Sequence, residues 1–275
     1  MSEQAAPYGG RADATAAETG PNPPSLSLEY VIRGFECGYG GPLKALPLMN
    51  LLQEAAGAHA DLLGWGVDDL MAAGRTWMLS RLDLRVARLP RTGERVSVST
   101  WPAGAERLFA LRDFVMRGPG GEPLVSAVYA YLIVDLAARR PLRPERVFGP
   151  GFLRGAEAHP VADFTFAVPE AGAVEESYAL RACPRHLDNN GHVNNAYIVD
   201  WLTDAVPMPA RASGALRALR VEFDAEALAG DDLRALWGRA APVPGAAGPG
   251  AAGAQLVTEL RRGEDLVARA RTEWS

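Results

Sequence analysis

A helix followed by a run of long strands occurs twice in this chain, and that repeat constrains the fold more than any other feature. Between residues 46 and 64, Leu48, Leu51, Leu52, Ala55 and Leu62 recur at spacings that gather them on one face of an α-helix. His59 falls on the same face, where a histidine is a packed residue, and no chemistry is assigned to it. After Gly74 come four strand-like segments at residues 76–89, 94–104, 107–118 and 122–136, separated by Gly, Pro and charged turns. A helix with one apolar face needs a sheet to cover it, so the expected class is α+β, with a curved antiparallel sheet wrapped round a long helix. The second half repeats the order. An offset of about 150 residues pairs Glu54 with Asp204 and Ala55 with Ala205, and it puts a Cys-bearing strand upstream of each helix. The reading is a tandem duplication that rests on element order. Residues 1–27 read as a disordered tail, 28–150 as the first unit and 151–275 as the second, joined by a Gly-, Pro- and Ala-rich connection at 149–160. The low-complexity stretch from Pro242 reads as a loop between two strands.

Composition narrows the function classes. With 48% hydrophobic and 22% charged residues over 275 positions, the chain can bury a substantial core. Its longest apolar run, from Leu124, has strand character and is too short for a membrane span. A net charge of −5 argues against a nucleic-acid surface. Cys37 and Cys183 are too few for a disulfide framework, and the first residues carry acids and no apolar leader, so a cytoplasmic protein is expected. Lys44 is the sole lysine, which leaves little room for Schiff-base chemistry.

The densest polar cluster is RHLDNNGHVNN, in which Asp188, Asn190 and His192 alternate ahead of a helix opening near Val193. On an extended segment such alternation places the three side chains on one side. A carboxylate, an amide and an imidazole at a helix start can orient water, hold a carbonyl and present backbone N–H groups near Val193 to an oxyanion. Turn and cap residues have the same composition, so the cluster alone leaves both readings open.

The run DNNGHVNNAYIVDWLTDAVP resembles the D-x-N-x-H-V-N-N signature and following helix of the acyl-acyl carrier protein thioesterases of plants and bacteria. In the first half, the helix, the Gly-Trp turn, the Trp-containing strand, the Arg-x-Pro-x-x-Gly-Glu turn and the Thr-Trp strand are similar to that family too. The resemblance covers most of the chain from about Tyr30 onward. It implies a double hotdog, with an acyl-binding first domain and a catalytic second one. It also implies hydrolysis of acyl-acyl carrier protein to free acid and carrier thiol, without cofactor or metal. The family's catalytic Asp, Asn and His fall on Asp188, Asn190 and His192, and its downstream acid on Glu226. Many plant members carry a Cys after that acid, where this chain has Ala227, so activated water is the expected nucleophile. Either Glu226 or Asp188 is the base, and two carboxylates sharing a site would raise one pKa.

The 150-residue offset sets Gly38, Gly40 and Pro42 opposite Asp188, Asn190 and His192, so one site per chain is expected, with the first half free to hold the acyl group. Leu51, Leu52, Trp77 and Met78 are candidates to line that cavity. The acidic carrier protein needs a basic face, for which Arg139, Arg140 and Arg143, with Arg146, are one candidate and Arg85 and Arg88 another. An acyl-CoA or polyketide-type thioesterase, a hotdog dehydratase and a non-catalytic acyl-binding protein are the alternatives. Absence of G-x-S-x-G, of a dinucleotide fingerprint and of paired metal-ligand spacings removes the serine-hydrolase, nucleotide and zinc readings. Monomer and homodimer are both compatible with two hotdogs in one chain.

Overall fold

The computed structural model describes residues 15–16, 25–148, 159–211, 214–240 and 255–275. In the first half, β1 (Thr15–Ala16) and β2 (Leu26–Val31) precede helices α1 (Ala45–Leu62) and α2 (Val67–Ala72). Then come strands β3 (Arg75–Val86), β4 (Arg95–Glu106), β5 (Phe109–Arg117), β6 (Pro123–Asp135) and β7 (Arg140–Leu142), and a short α3 (Pro144–Phe148). The second half has β8 (Ala171–Arg181), α4 (Asn195–Asp204), β9 (Leu216–Phe223), β10 (Asp232–Ala240), β11 (Gln255–Arg262) and β12 (Asp265–Trp274). All strands belong to one antiparallel sheet of order β1-β2-β4-β5-β6-β3-β9-β12-β11-β10-β8, with β7 pairing β6. This is the expected α+β double hotdog, with the two half-sheets fused where β3 pairs β9.

The seam shows why these sequences form strands. Leu82 and Leu84 face Val221 and Leu219 on the inner side, all almost fully buried, while Arg81, Asp83 and Arg85 point outward. Across β3, β9, β12 and β11 one outer row reads Arg81, Glu222, Arg269, Glu259, so opposite charges stand beside each other on neighbouring strands. Asp83 is fully buried and accepts from Arg85, from Arg220 Nε at 3.0 Å and from Thr165 N at 2.9 Å. The described part of the connection between halves therefore packs on the outer face of the sheet. His159 lies 3.0 Å from both carboxylate oxygens of Asp113 and continues that attachment. Residues 149–158 and the Pro242 loop lie outside the described residues, as does most of the expected tail, whose last residues Leu26 and Ser27 form the start of β2.

The helices pack side by side beneath the sheet. In α1 the buried stripe is Leu48, Met49, Leu52, Ala55, Ala56 and His59. Arg211 ends α4 by donating to the carbonyls of Val206 and Thr203, while its guanidinium lies over the Trp274 ring. The repeat is closer in backbone than in sequence. Gly38 N donates to Pro42 O as Asp188 N donates to His192 O, both at 2.8 Å. The turns share a glycine of positive φ, Gly41 and Gly191, where a side chain would be strained. One expectation needs correction. Cys37 and Cys183 lie in the turns after β2 and β8, flanking short 3₁₀ segments, and not in strands. Helix α2, six residues behind a Gly-Trp-Gly turn, was not anticipated, because a single turn of helix carries little periodicity.

One contact between halves titrates. Asp200 Oδ1 on α4 accepts from Leu46 N in the first turn of α1, 3.2 Å away. Burial, aided by the Asp204 charge, pushes its carboxyl up to about 6, against the Leu46 bond and Lys44. A raised carboxyl pKa means that the folded state holds the proton more tightly, a stabilisation complete at low pH and lost as pH rises through about 6. Asp200→Asn keeps an acceptor and removes the buried charge. Because the group is partly exposed, the expected gain is only about 1 kcal/mol at neutral pH, or about 2 °C in Tm, vanishing near pH 4. Melting curves at both pH values check this, and a gap independent of pH would contradict it.

No helix among the described residues is long and apolar enough to cross a membrane.

Candidate active site

The polar cluster is not an extended segment. Beyond β8, a 3₁₀ turn at Pro184–His186 leads into a tight reversal closed by Asp188 N donating to His192 O. Asp188 Oδ1 accepts from Asn190 N at 2.8 Å and His192 N at 3.1 Å, so this carboxylate organises the turn from inside. Asn194 caps α4 through Ala196 N at 2.9 Å. The expected oxyanion donors near Val193 are already engaged. Val193 N donates to Ala227 O, because residues 226–228 run alongside this segment, and Asn194 N donates to His186 O across the reversal, both at 2.8 Å. His186 is buried beneath it, its Nδ1 accepting from Cys183 N and its ring against Tyr197 and Trp201. Burial and the Arg185 charge lower its pKa, which keeps it neutral and structural at neutral pH.

The pairing of His192 with Leu228 sets the last functional group. It brings Glu226 Oε2 to 3.3 Å from His192 Nε2, with 37% of the histidine side chain and 57% of the glutamate exposed. So exposed a pair adds little stability, and its significance is chemical. Its loop is fixed from behind. Arg262 donates to Glu226 O and to Asp231 Oδ2, and Asp231 Oδ2 also accepts from Leu228 N. Each of the two candidate carboxylates thus has its own partners, Asp188 the backbone and Glu226 the imidazole. Ala227 is buried, and no thiol stands beside Glu226. Cys183 is half-buried, its Sγ donating to Arg181 O. Among the described residues no group of three His, Cys, Asp or Glu side chains is arranged to hold a metal ion.

Asn189 and Asn190 of the same turn form part of the wall of a cavity of about 540 Å³ that runs into the first half, between α1, α2, β3, β5 and β6. Ala56, Trp77, Ala110 and Tyr131 line it. Trp77 Nε1 donates to Trp65 O at 2.8 Å and its ring stacks on Phe148. Of the four residues expected at this wall, only Trp77 reaches it. Leu52 is fully buried in the core, Leu51 packs against the core, and Met78, next to Trp77 on β3, points to the opposite face. Arg112 also lines the cavity and was missed. Its signal was present in β5, where it occupies the inward phase of Ala110, Arg112, Phe114 and Met116, so a charge stands at a core position.

The basic candidates separate. Arg88 is paired with Glu94 and Glu122, and Arg85 with Asp83, so neither forms an open basic face. Arg139, Arg140 and Arg143 are exposed on the segment from the turn after β6 to the start of α3.

The sequence pattern of the acyl-ACP thioesterase N-terminal domain matches residues 25–147, and that of the acyl-ACP thioesterase C-terminal domain matches residues 172–275. The chain belongs to the acyl-ACP thioesterase family. Among its relatives, the chloroplastic palmitoyl-acyl carrier protein thioesterase of Gossypium hirsutum is 28% identical over 262 residues, 90% of this chain and 63% of that protein. The chloroplastic dodecanoyl-[acyl-carrier-protein] hydrolase of Cinnamomum camphora is 27% identical over 92% of this chain and 72% of its own. This acyl-ACP thioesterase family member thus spans just under two thirds of the cotton protein. An acyl-ACP thioesterase from Bacteroides thetaiotaomicron has the same fold, at TM-score 0.77 and 23% identity over 91% of this chain and 98% of that one. The 12:0-ACP thioesterase from Umbellularia californica also shares it, at TM-score 0.74 and 24% identity over 91% and 94%.

Proposed function

We propose that this chain hydrolyses the thioester between an acyl group and the phosphopantetheine arm of an acyl carrier protein. The observation that carries the reading is that one turn supplies both His192, paired with Glu226, and Asn189 and Asn190, which wall the cavity. The acyl group occupies that cavity in the first half, and the thioester sits at its Asn190 end. Glu226 takes a proton from water, and the water oxygen bonds to the carbonyl carbon. His192 donates from Nε2 to Glu226 and holds the carboxylate toward the water. The Asn190 amide donates to the developing oxyanion, the Val193 and Asn194 N–H groups being engaged elsewhere. Collapse breaks the carbon–sulfur bond, the sulfur leaves with the proton returned from Glu226, and free acid and carrier thiol separate. Asp188 shapes the turn and takes no proton.

The acidic carrier is placed against Arg139, Arg140 and Arg143, which support this by their exposure next to α3, whose Phe148 packs on the cavity residues Trp65 and Trp77. Thiol release from carrier-protein and CoA thioesters of several chain lengths tests the reading. Rapid release from the carrier thioesters is expected, and no release from any of them would overturn it.

A further inference from the structure

Arg112 brings to the cavity wall a positive charge that no carboxylate among the described residues pairs with directly. Its Nη1 donates to His59 Nδ1 at 2.9 Å and to Thr100 Oγ1 at 3.3 Å, which fixes the plane of the guanidinium. No carboxylate lies within ion-pair distance of it among the described residues, and burial lowers its pKa below that of an ordinary arginine. The remaining donors, on Nε and Nη2, bond to no protein atom among the described residues. Neither nitrogen is sealed off from open space, and Arg112 lines the cavity. The cavity wall also carries Asp61 and Asp68, but neither is paired with Arg112, whose neighbours in the wall on β5 are Ala110 and Leu111. A desolvated guanidinium with unused N–H groups is costly until an acceptor meets it, and a bound ligand can supply one.

We propose that Arg112 is a substrate-recognition residue whose Nε and Nη2 groups donate to an oxygen acceptor that the bound thioester carries into the cavity. This rests on the cavity's being the acyl site. The acceptor has two sources of the same chemistry: a hydroxyl, oxo or carboxylate oxygen on the acyl group, or an amide carbonyl of the phosphopantetheine arm. His59 gains a role as the buried acceptor that orients the guanidinium, which its place in the α1 stripe did not reveal. The fork matters as well as the charge, since a lysine at this position would present one point donor and lose the contact with His59 or Thr100.

The test uses the full chain and carrier-bound thioesters of matched length ending in methyl, hydroxyl or carboxylate, with Arg112→Met and Arg112→Lys beside the unaltered protein. The expected result is a fall in kcat/KM of about 10- to 100-fold in Arg112→Met, the loss of one charge-assisted hydrogen bond, with smaller losses in Arg112→Lys. A fall confined to the oxygenated chains assigns the acceptor to the acyl group. An equal fall on all three, appearing in KM, assigns it to the arm. If Arg112→Met does not fold, Arg112→Lys carries the same comparison. A folded Arg112 variant that hydrolyses all three thioesters at the native rate overturns the proposal while leaving the hydrolytic reading intact. An unaltered protein that hydrolyses none of them overturns that reading and, with it, this inference.

Discussion

Glu226→Gln is expected to lower kcat on carrier-bound thioesters by about 100- to 10,000-fold with little change in KM, the range associated with losing a general base. His192→Ala should fall comparably, and the double variant should be no worse than the poorer single one, because the two act as a unit. Thermal stability should barely move, since the pair is largely exposed. Asp188 provides the contrast. Its Oδ1 accepts two backbone N–H groups, and the amide oxygen of Asp188→Asn can do the same, so that variant should keep most of its activity. Asp188→Ala loses both bonds and should lose activity and about 1–3 kcal/mol of stability together. Steady-state kinetics with parallel melting curves separate the two carboxylates. An inactive, folded Asp188→Asn beside an active Glu226→Gln would exchange their roles.

The largest effect on stability is expected at the seam between half-sheets. Asp83 is fully buried, and removing its carboxylate in Asp83→Ala strands the nearly buried Arg220 and the N–H of Thr165. Breaking a buried pair from one side costs about 3–5 kcal/mol, which for a chain of this size lowers Tm by about 10 °C. The double variant Asp83→Val with Arg220→Met should lose less than the single one, because it leaves no buried charge unmatched. Calorimetry on the three proteins checks this. A single variant that melts with the unaltered chain would show that the sheet does not depend on this contact.

What could be read from the sequence divides along physical lines. The α1 helix, the long strands and the 150-residue repeat are periodic over many residues and are present in the structure, although the buried stripe of α1 takes in Met49 and Ala56 and leaves the expected Leu62 exposed. The local motif brought Asp188, Asn190 and His192 together and the family resemblance added Glu226, but neither gave their geometry. Alternation implied an extended segment, whereas Gly191 and the Asp188 carboxylate turn it back on itself. The oxyanion role expected of backbone near Val193 failed because Ala227 O takes the Val193 N–H and His186 O that of Asn194, and nothing in the local sequence announces the pairing with Ala227. Leu51, Leu52 and Met78 were drawn from apolar composition, which does not distinguish a cavity wall from a core or from the far side of a strand. Arg112 was legible only as a charge interrupting strand alternation and Asp83 only as one more outward charge, and their meaning came from partners dozens of residues away.

The central claim is that water activated by Glu226 attacks the thioester directly. The most direct test is a single turnover, with protein in excess over a carrier-bound thioester, in water labelled with heavy oxygen, followed by mass analysis of the acid and of the Glu226-containing peptide. The account predicts one heavy oxygen in the released acid, an unlabelled peptide and no acyl adduct on the protein. Unlabelled acid with heavy oxygen in the Glu226 carboxylate, or an acylated protein, would contradict it.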